Sequence, residues 1–268
     1  MKILILGDVV GATGRKAIEM HLNKIIKDNE IDFTIINGEN SADDGKGITK
    51  SAADNFFSCG ADVITSGNHI WDKKEIVEYI SSESRLLRPI NLAEGSPGKG
   101  SGIYFTKNKK FKVGVINLMG NVFMRKTDNV FKSANEIKQK MTLKKDVDFL
   151  VVDVHAEITS EKMALAHFMD GYSTCVVGTH THVPTADTRI LEKGTAYQTD
   201  IGMCGDYNSV IGMNKENSIK KFLNDKSAVT HFPATGESTL SGVIIEADNK
   251  TGLAKKIIRL IKGGSLIK

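Results

Sequence analysis

Residues 2–27 run KILILGDVVGATGRKAIEMHLNKIIK, and the order of their parts decides the fold. Residues 2–6 are a short β-branched and leucine run, residues 7–14 are glycine-rich, and residues 15–27 carry apolar side chains at helical spacing. This succession predicts strand, loop and helix. Residues 32–37 (DFTIIN) then predict a second buried strand, residues 50–59 a helix, and residues 61–65 (ADVIT) a third strand ending in SGNH. Alternating β and α elements require a parallel sheet with crossover helices.

After Arg88-Pro89 the pattern changes. A Gly/Ser-rich loop over residues 95–102 leads into two strand-like runs, 103–106 and 111–117, which read as a hairpin. Residues 133–142 predict a helix, 148–154 (DFLVVDV) a buried strand, 161–169 a helix and 174–178 (TCVVG) a strand. Further strands are expected at 188–191, 195–199 and 240–247, interrupted only by a helix at 216–223. Two mixed sheets packed between helices are the architecture these runs imply.

The 268 residues are 40% hydrophobic and 25% charged, an ordinary globular balance that excludes disordered and fibrous chains. No linker, repeat or low-complexity stretch interrupts them, so one domain over residues 1–268 is expected. Lys and Arg exceed Asp and Glu by 36 to 32, a net charge of +4. That excess suits an anionic substrate without requiring nucleic acid. The run KNKKFK at 107–112 reads as a solvated hairpin tip. Cys59, Cys175 and Cys204 form no CxxC, which argues against a disulfide framework or zinc ribbon and for a reducing cytoplasm. Residues 3–6 are too short for a signal-peptide core and no run of 18 apolar residues occurs, so no membrane association is expected.

Polar side chains able to hold metal follow each buried run. Asp8 follows ILILG, Glu39 and Asn40 follow TIING, Asn68 and His69 follow VITSG, His155 follows LVVDV, and His180 and His182 follow CVVGT. In parallel α/β sheets ligands bind at the carboxyl ends of strands. Carboxylates, carboxamides and imidazoles without thiolate suit borderline to hard divalent metals such as Mn²⁺, Fe²⁺ or Zn²⁺. Seven ligands exceed what one catalytic ion takes while keeping an open position, whereas two ions sharing a bridging carboxylate account for all of them.

Each residue alone has a plainer reading. His180 and His182, two apart in an extended segment, would share one face and could be surface polar. His155 could be a core histidine, Asp8 a helix or turn cap, and Glu39-Asn40-Ser41 a simple loop. Gly7, Gly38 and Gly67 precede Asp8, Glu39 and Asn68, and the expectation is a sharp turn beneath each ligand. His21, His167 and His231 lack such company and read as structural or surface residues, and Trp71 reads as a core anchor. Ser41, Gly45, Lys46 and Gly47 are candidates for substrate contact or ordinary loop residues.

GATG at 11–14 imitates a dinucleotide-binding turn. However, Asp8 would put a carboxylate near the pyrophosphate, and the expected downstream acidic residue has no counterpart before Asp32. Taken together, GDVVG, NGENSADDGKG, SGNHIWD, VDVHAE, GTHTHVPTAD and TDIGMCG resemble the YmdB-type calcineurin-like metallophosphoesterases of bacteria, six motifs in order over almost the whole chain. The resemblance implies a four-layer α/β/β/α sandwich with two mixed β-sheets, of the metallo-dependent phosphatase-like kind. It also implies two divalent metal ions, iron or manganese foremost, with zinc and magnesium as alternatives. Asp8, Glu39, Asn40 and His182 would hold one ion, and Asn68, His155 and His180 would complete the second with Glu39 as bridge. His69 would stay free as general acid or transition-state stabiliser.

Two departures stand out. Val10 and Glu39 replace the His and bridging Asp of common calcineurin-like enzymes, which is the subgroup's own signature, with Asn40 substituting for the missing His. Gly205-Asp206-Tyr207-Asn208 differs from the family pattern in a loop that bears on substrate contacts. The activity implied is a metal-dependent phosphoric diester hydrolase acting on 2′,3′-cyclic nucleotides such as 2′,3′-cAMP, by metal-activated hydroxide attack with His69 as acid. A phosphomonoesterase of the same fold, and a regulatory RNA- or protein-binding module retaining the metal site, are the alternatives. The expected partner is a small nucleotide phosphodiester, with RNA-related partners and a homo-oligomer as weaker expectations.

Overall fold

A computed structural model describes residues 1–266; residues 267 and 268, which the one-domain expectation also spans, lie outside the described residues. The first sheet contains β1 (Lys2–Leu6), β3 (Phe33–Asn37), β4 (Val63–Thr65), β12 (Thr239–Ala247) and β13 (Ala254–Gly263), in the order β13-β12-β1-β3-β4. The second contains β5 (Ser101–Phe105), β6 (Lys112–Met119), β7 (Phe149–His155), β8 (Cys175–Thr179), β9 (Arg189–Ile190) and β10 (Ala196–Gln198), in the order β5-β6-β7-β8-β10-β9. β1, β3 and β4 run parallel, as do β6, β7, β8 and β10. A short ribbon joins β2 (Asp8–Val9) to β11 (Met203–Cys204).

Period-two side-chain direction explains how the layers assemble. Ile3 and Ile5 of β1 pack with Phe33, Ile35, Val115, Val151 and Val177 in a buried layer between the sheets. Leu4 and Leu6 face the other way, against Ile18 and Leu22 of α1 (Gly11–Asp28) and Phe56 of α2 (Lys50–Ser58). On the far side Leu150, Val152 and Val154 of β7 meet Ala134 and Ile137 of α4 (Val130–Lys140) and Leu165 of α5 (Thr159–Met169). The result is the expected four-layer α/β/β/α sandwich with two mixed sheets. The carboxyl ends of β1, β3 and β4 thereby lie beside those of β7 and β8.

Several boundaries differ from expectation for identifiable reasons. α1 begins at Gly11, so GATG is the helix's first turn; a Cβ at Gly14 would meet the Cys204 carbonyl, and one at Gly11 would meet Pro233 at 2.8 Å. These glycines serve packing against protein, and the faces a pyrophosphate would need are covered. α4 starts at Val130 because the Asn129 side chain accepts from Lys132 N at 2.9 Å. Asn214 caps α6 (Lys215–Phe222) in the same way. α3 (Glu75–Ser82), β2, β11 and β13 were not anticipated. β13 is a largely exposed edge strand whose apolar residues, at 254, 257, 258, 260 and 261, fall at helix-like spacing. The 188–191 and 195–199 runs pair antiparallel with each other, but β10 joins β8 in parallel.

Trp71 packs on the core, as an anchor should. The 107–110 stretch is the exposed tip of the β5–β6 hairpin. All three cysteines are free and buried. Among the described residues no helix is long and apolar enough to cross a membrane.

Candidate metal centre

The strand ends bring Asp8, Glu39, Asn40, Asn68, His155, His180 and His182 into one cluster, with His69 at its edge. Glu39 Oε1 lies 2.9 Å from His155 Nε2 and accepts from Asn40 Nδ2 at 3.2 Å. Its Oε2 accepts from the His69 backbone N–H at 3.2 Å. His155 Nε2 also faces Asn68 Oδ1 and His180 Nδ1, each at 3.0 Å. Donor atoms of Glu39, His155 and His180 all lie within 4.8 Å of one another. Asn40 Nδ2 stands 3.1 Å from His182 Nε2, and His182 Nε2 is 4.0 Å from Asp8 Oδ1.

The partners behind each imidazole set its tautomer. Asp153 receives Asn37 Nδ2 at 3.0 Å, the Thr65 hydroxyl at 2.5 Å and the Thr179 hydroxyl at 2.8 Å. Having donated to Asp153, Thr179 Oγ1 is left to accept from His155 Nδ1 at 3.0 Å. His182 Nδ1 must donate to the Ile211 carbonyl at 2.8 Å, and His180 Nε2 donates to Glu157 Oε2 at 2.9 Å. The remaining nitrogens, His155 Nε2, His180 Nδ1 and His182 Nε2, turn their lone pairs toward Glu39, Asn68 and Asp8. This back-bonded arrangement is how metal-ligating histidines are oriented.

The electrostatics agree. Burial opposes ionisation of Glu39, yet His155 and then His69 hold its carboxyl at about 2. Burial also works against charge on His155, but Glu39, Asp8 and Asp153 outweigh it and push it up to about 9. The cluster thus draws positive charge to His155 Nε2, whether a proton or a metal carries it. Asp8 is raised to about 6, because burial outweighs the attraction of His182 and His155. His180 is lowered to about 3 by burial and then by the charge of His155, which keeps its Nδ1 lone pair bare.

Two further observations test whether a divalent cation fits. Asp8 Oδ1 is fully buried and has no hydrogen-bond partner, a cost that a cation beside it would remove. A Cβ at Gly67 would collide with the His155 ring and Glu39 Oε2. Gly67→Ala is therefore expected to destabilise the protein by about 1–3 kcal/mol through overpacking and to lower bound Mn²⁺, read by thermal unfolding and metal analysis. None of Gly7, Gly38 and Gly67 has a left-handed φ. Their expected role as sharp turns is corrected to close approach: Gly7 lies against the Gly202 carbonyl, and Gly38 against Ile48 and Ile64.

A second correction concerns His180 and His182. β8 ends at Thr179, and both histidines sit beyond it with left-handed backbones, φ 98° and 66°. They converge through a strained turn and not through a shared strand face, at a cost of order 1–3 kcal/mol each. His69 Nδ1 pairs with Asp72 Oδ2 at 2.7 Å, and Arg125 approaches the other Asp72 oxygen at 3.5 Å. Sequence alone does not single out Asp72, Glu157, Thr179 or Asp153; Asp153, Glu157 and Thr179 lie within two residues of a candidate ligand and Asp72 three residues after His69, and that proximity is the one signal available. A cleft of about 310 Å³ opens on the cluster, walled by Lys46, His69, Glu157, Ile211 and Met213. Asp206 is buried and accepts from Asn208 N and Gly236 N, so the divergent 205–208 loop is internally braced.

The two-sheet sandwich and its donor set define a metal-dependent phosphoesterase hydrolase. A family model described as YmdB-like protein matches residues 4–260, and the chain belongs to that family. It is 46% identical over 261 residues to the 2′,3′-cyclic-nucleotide 2′-phosphodiesterase of Bacillus subtilis (strain 168), covering 97% of each chain. The crystal structure of a novel phosphatase from Mycoplasma pneumoniae superimposes with a TM-score of 0.90 at 37% identity, over 98% of this chain and 93% of that one. The 5′-nucleotidase of Candida albicans SC5314 shares the fold alone, at 13% identity and a TM-score of 0.51, over 85% of this chain and 55% of that one.

Proposed function

We propose that the chain is a dinuclear metal-dependent phosphodiesterase that hydrolyses 2′,3′-cyclic nucleotides. The observation that carries the reading is the convergence of His155 Nε2, His180 Nδ1, His182 Nε2 and the carboxylates of Glu39 and Asp8, each imidazole back-bonded through its other nitrogen, beside a cleft of about 310 Å³. Asp8, Glu39, Asn40 and His182 would hold one cation, and Asn68, His155 and His180 would hold the other together with Glu39. Turning the Asn40 amide over presents Oδ1 in place of Nδ2 to the gap between Glu39 and His182. Divalent cations held there would supply charge neutralisation for the phosphoryl oxygens and would acidify a water for in-line attack.

The chain's own residues do the rest. Asp72 fixes the His69 ring through Nδ1, leaving Nε2 to pass a proton to the departing ribose 2′ oxygen. Water adds to phosphorus, the P–O2′ bond breaks, and a nucleoside 3′-phosphate results. Lys46 offers a cation to the phosphate, and Ile211 and Met213 an apolar wall to the nucleobase. Glu157, charged and half-exposed at the rim, repels a dianionic monoester more than a monoanionic diester, which favours the diester reading over phosphomonoesterase. The buried free thiols suit a reducing compartment, and we assign the protein to the cytoplasm.

The test is hydrolysis of 2′,3′-cAMP by purified protein with added Mn²⁺, with and without chelator. Turnover that appears with metal and disappears on chelation is expected. Metal-loaded protein that leaves this diester intact but cleaves 3′-AMP would move the assignment to a monoesterase.

A further inference from the structure

Lys162 on α5 is 1% exposed and Asp200 is not exposed at all, and neither takes part in the chemistry above. Lysine is almost never fully buried unless paired, and Lys162 Nζ is paired with Asp200 Oδ2 at 2.9 Å. The same Asp200 oxygen accepts from Thr181 N at 3.0 Å and Thr181 Oγ1 at 2.8 Å, and its Oδ1 accepts from Gly202 N at 2.8 Å. Thr181 is the residue between His180 and His182, the two positions with left-handed backbones. A Cβ at Gly178 would meet first the Thr199 carbonyl oxygen and then Lys162 Cδ, at 2.8 Å, so the lysine stem passes close over this glycine.

Resting on the dinuclear reading above, we infer that Lys162 and Asp200 are positioning residues that clamp Thr181 and hold the strained His180-Thr181-His182 turn in its metal-binding form. Without the clamp the two histidines would relax toward ordinary backbone angles, and their lone pairs would no longer converge. One histidine serves each proposed ion, so the clamp governs both. Asp8 Oδ2, which accepts from His180 N at 3.0 Å, is the only other carboxylate on the turn's backbone among the described hydrogen bonds. It cannot replace the hold on Thr181.

The test is direct titration of Mn²⁺ into the purified protein, which requires no turnover. Lys162→Met keeps the buried stem and removes the charge; it is expected to bind Mn²⁺ about 10–100-fold more weakly, the usual effect of losing support behind metal ligands. Thr181→Val, which removes one hydroxyl from the half-exposed turn, is expected to weaken binding in the same direction and less, with thermal unfolding in chelator unchanged. Met169→Ala, a buried cavity variant on α5 away from the turn, is expected to lower the unfolding temperature while leaving Mn²⁺ affinity intact. Wild-type Mn²⁺ affinity in a folded Lys162→Met protein overturns the inference, as does equal weakening in Met169→Ala. If Lys162→Met does not fold, unchanged affinity in Thr181→Val overturns it. Wild-type protein that binds Mn²⁺ yet cleaves no phosphodiester refutes the phosphodiesterase reading alone, and the titrations still decide this one.

Discussion

His69→Ala is expected to retain both metal ions and to lose about 10²–10⁴ in turnover, the contribution of a well-placed general acid. The two halves of that expectation come from different atoms of one residue. The backbone N–H of His69 donates to Glu39 Oε2 at 3.2 Å, and alanine preserves it, so the proposed bridging carboxylate stays in place. The ring instead turns away to Asp72, with Nδ1 at 2.7 Å from Oδ2, and supplies no atom to the donor cluster. Metal content by elemental analysis and steady-state kinetics on 2′,3′-cAMP check the two halves separately. Turnover unchanged in a fully loaded variant would remove His69 from the chemistry; loss of metal with turnover would make it a ligand.

The cluster was legible in the sequence because parallel strands deliver whatever follows them to one sheet edge. Asp8 after ILILG and His155 at the end of FLVVDVH needed only the strands to be recognised. What sequence could not convey was the conformation between those anchors. Nothing in the identities of His180 and His182 announces a left-handed φ, so the pair was placed on a strand face when a strained turn presents it. The glycines before Asp8, Glu39 and Asn68 were rightly marked as special, but periodicity says nothing about which backbone or ring comes close, and the close neighbours are long-range. Nothing in the sequence around Lys162 marks it as buried, since its burial depends on Asp200 arriving from 38 residues further along the chain. β13 is not legible in the sequence because its pairing with β12, and not its own apolar pattern, makes it a strand.

Glu39→Gln is expected to lower bound metal from two ions per chain to fewer than one and to abolish turnover. Glutamine matches the side chain in shape, so the effect isolates charge and hydrogen-bond polarity. Oε1 faces His155 Nε2 at 2.9 Å and Asn40 Nδ2 at 3.2 Å, while Oε2 faces the His69 amide at 3.2 Å. Whichever way the new amide turns, its NH₂ meets a donor in place of an acceptor. The variant also removes the negative charge that most strongly offsets the cost of burying a charged His155. Breaking a buried pair of this kind costs about 3–5 kcal/mol, so the protein without added metal is expected to unfold at lower temperature as well. Elemental analysis after dialysis against Mn²⁺ gives the stoichiometry, and calorimetry with chelator gives the stability. Two retained ions would refute the bridging role outright. One retained ion would transfer the shared position to Asp8, the other buried carboxylate in the cluster, whose Oδ1 lacks a hydrogen-bond partner.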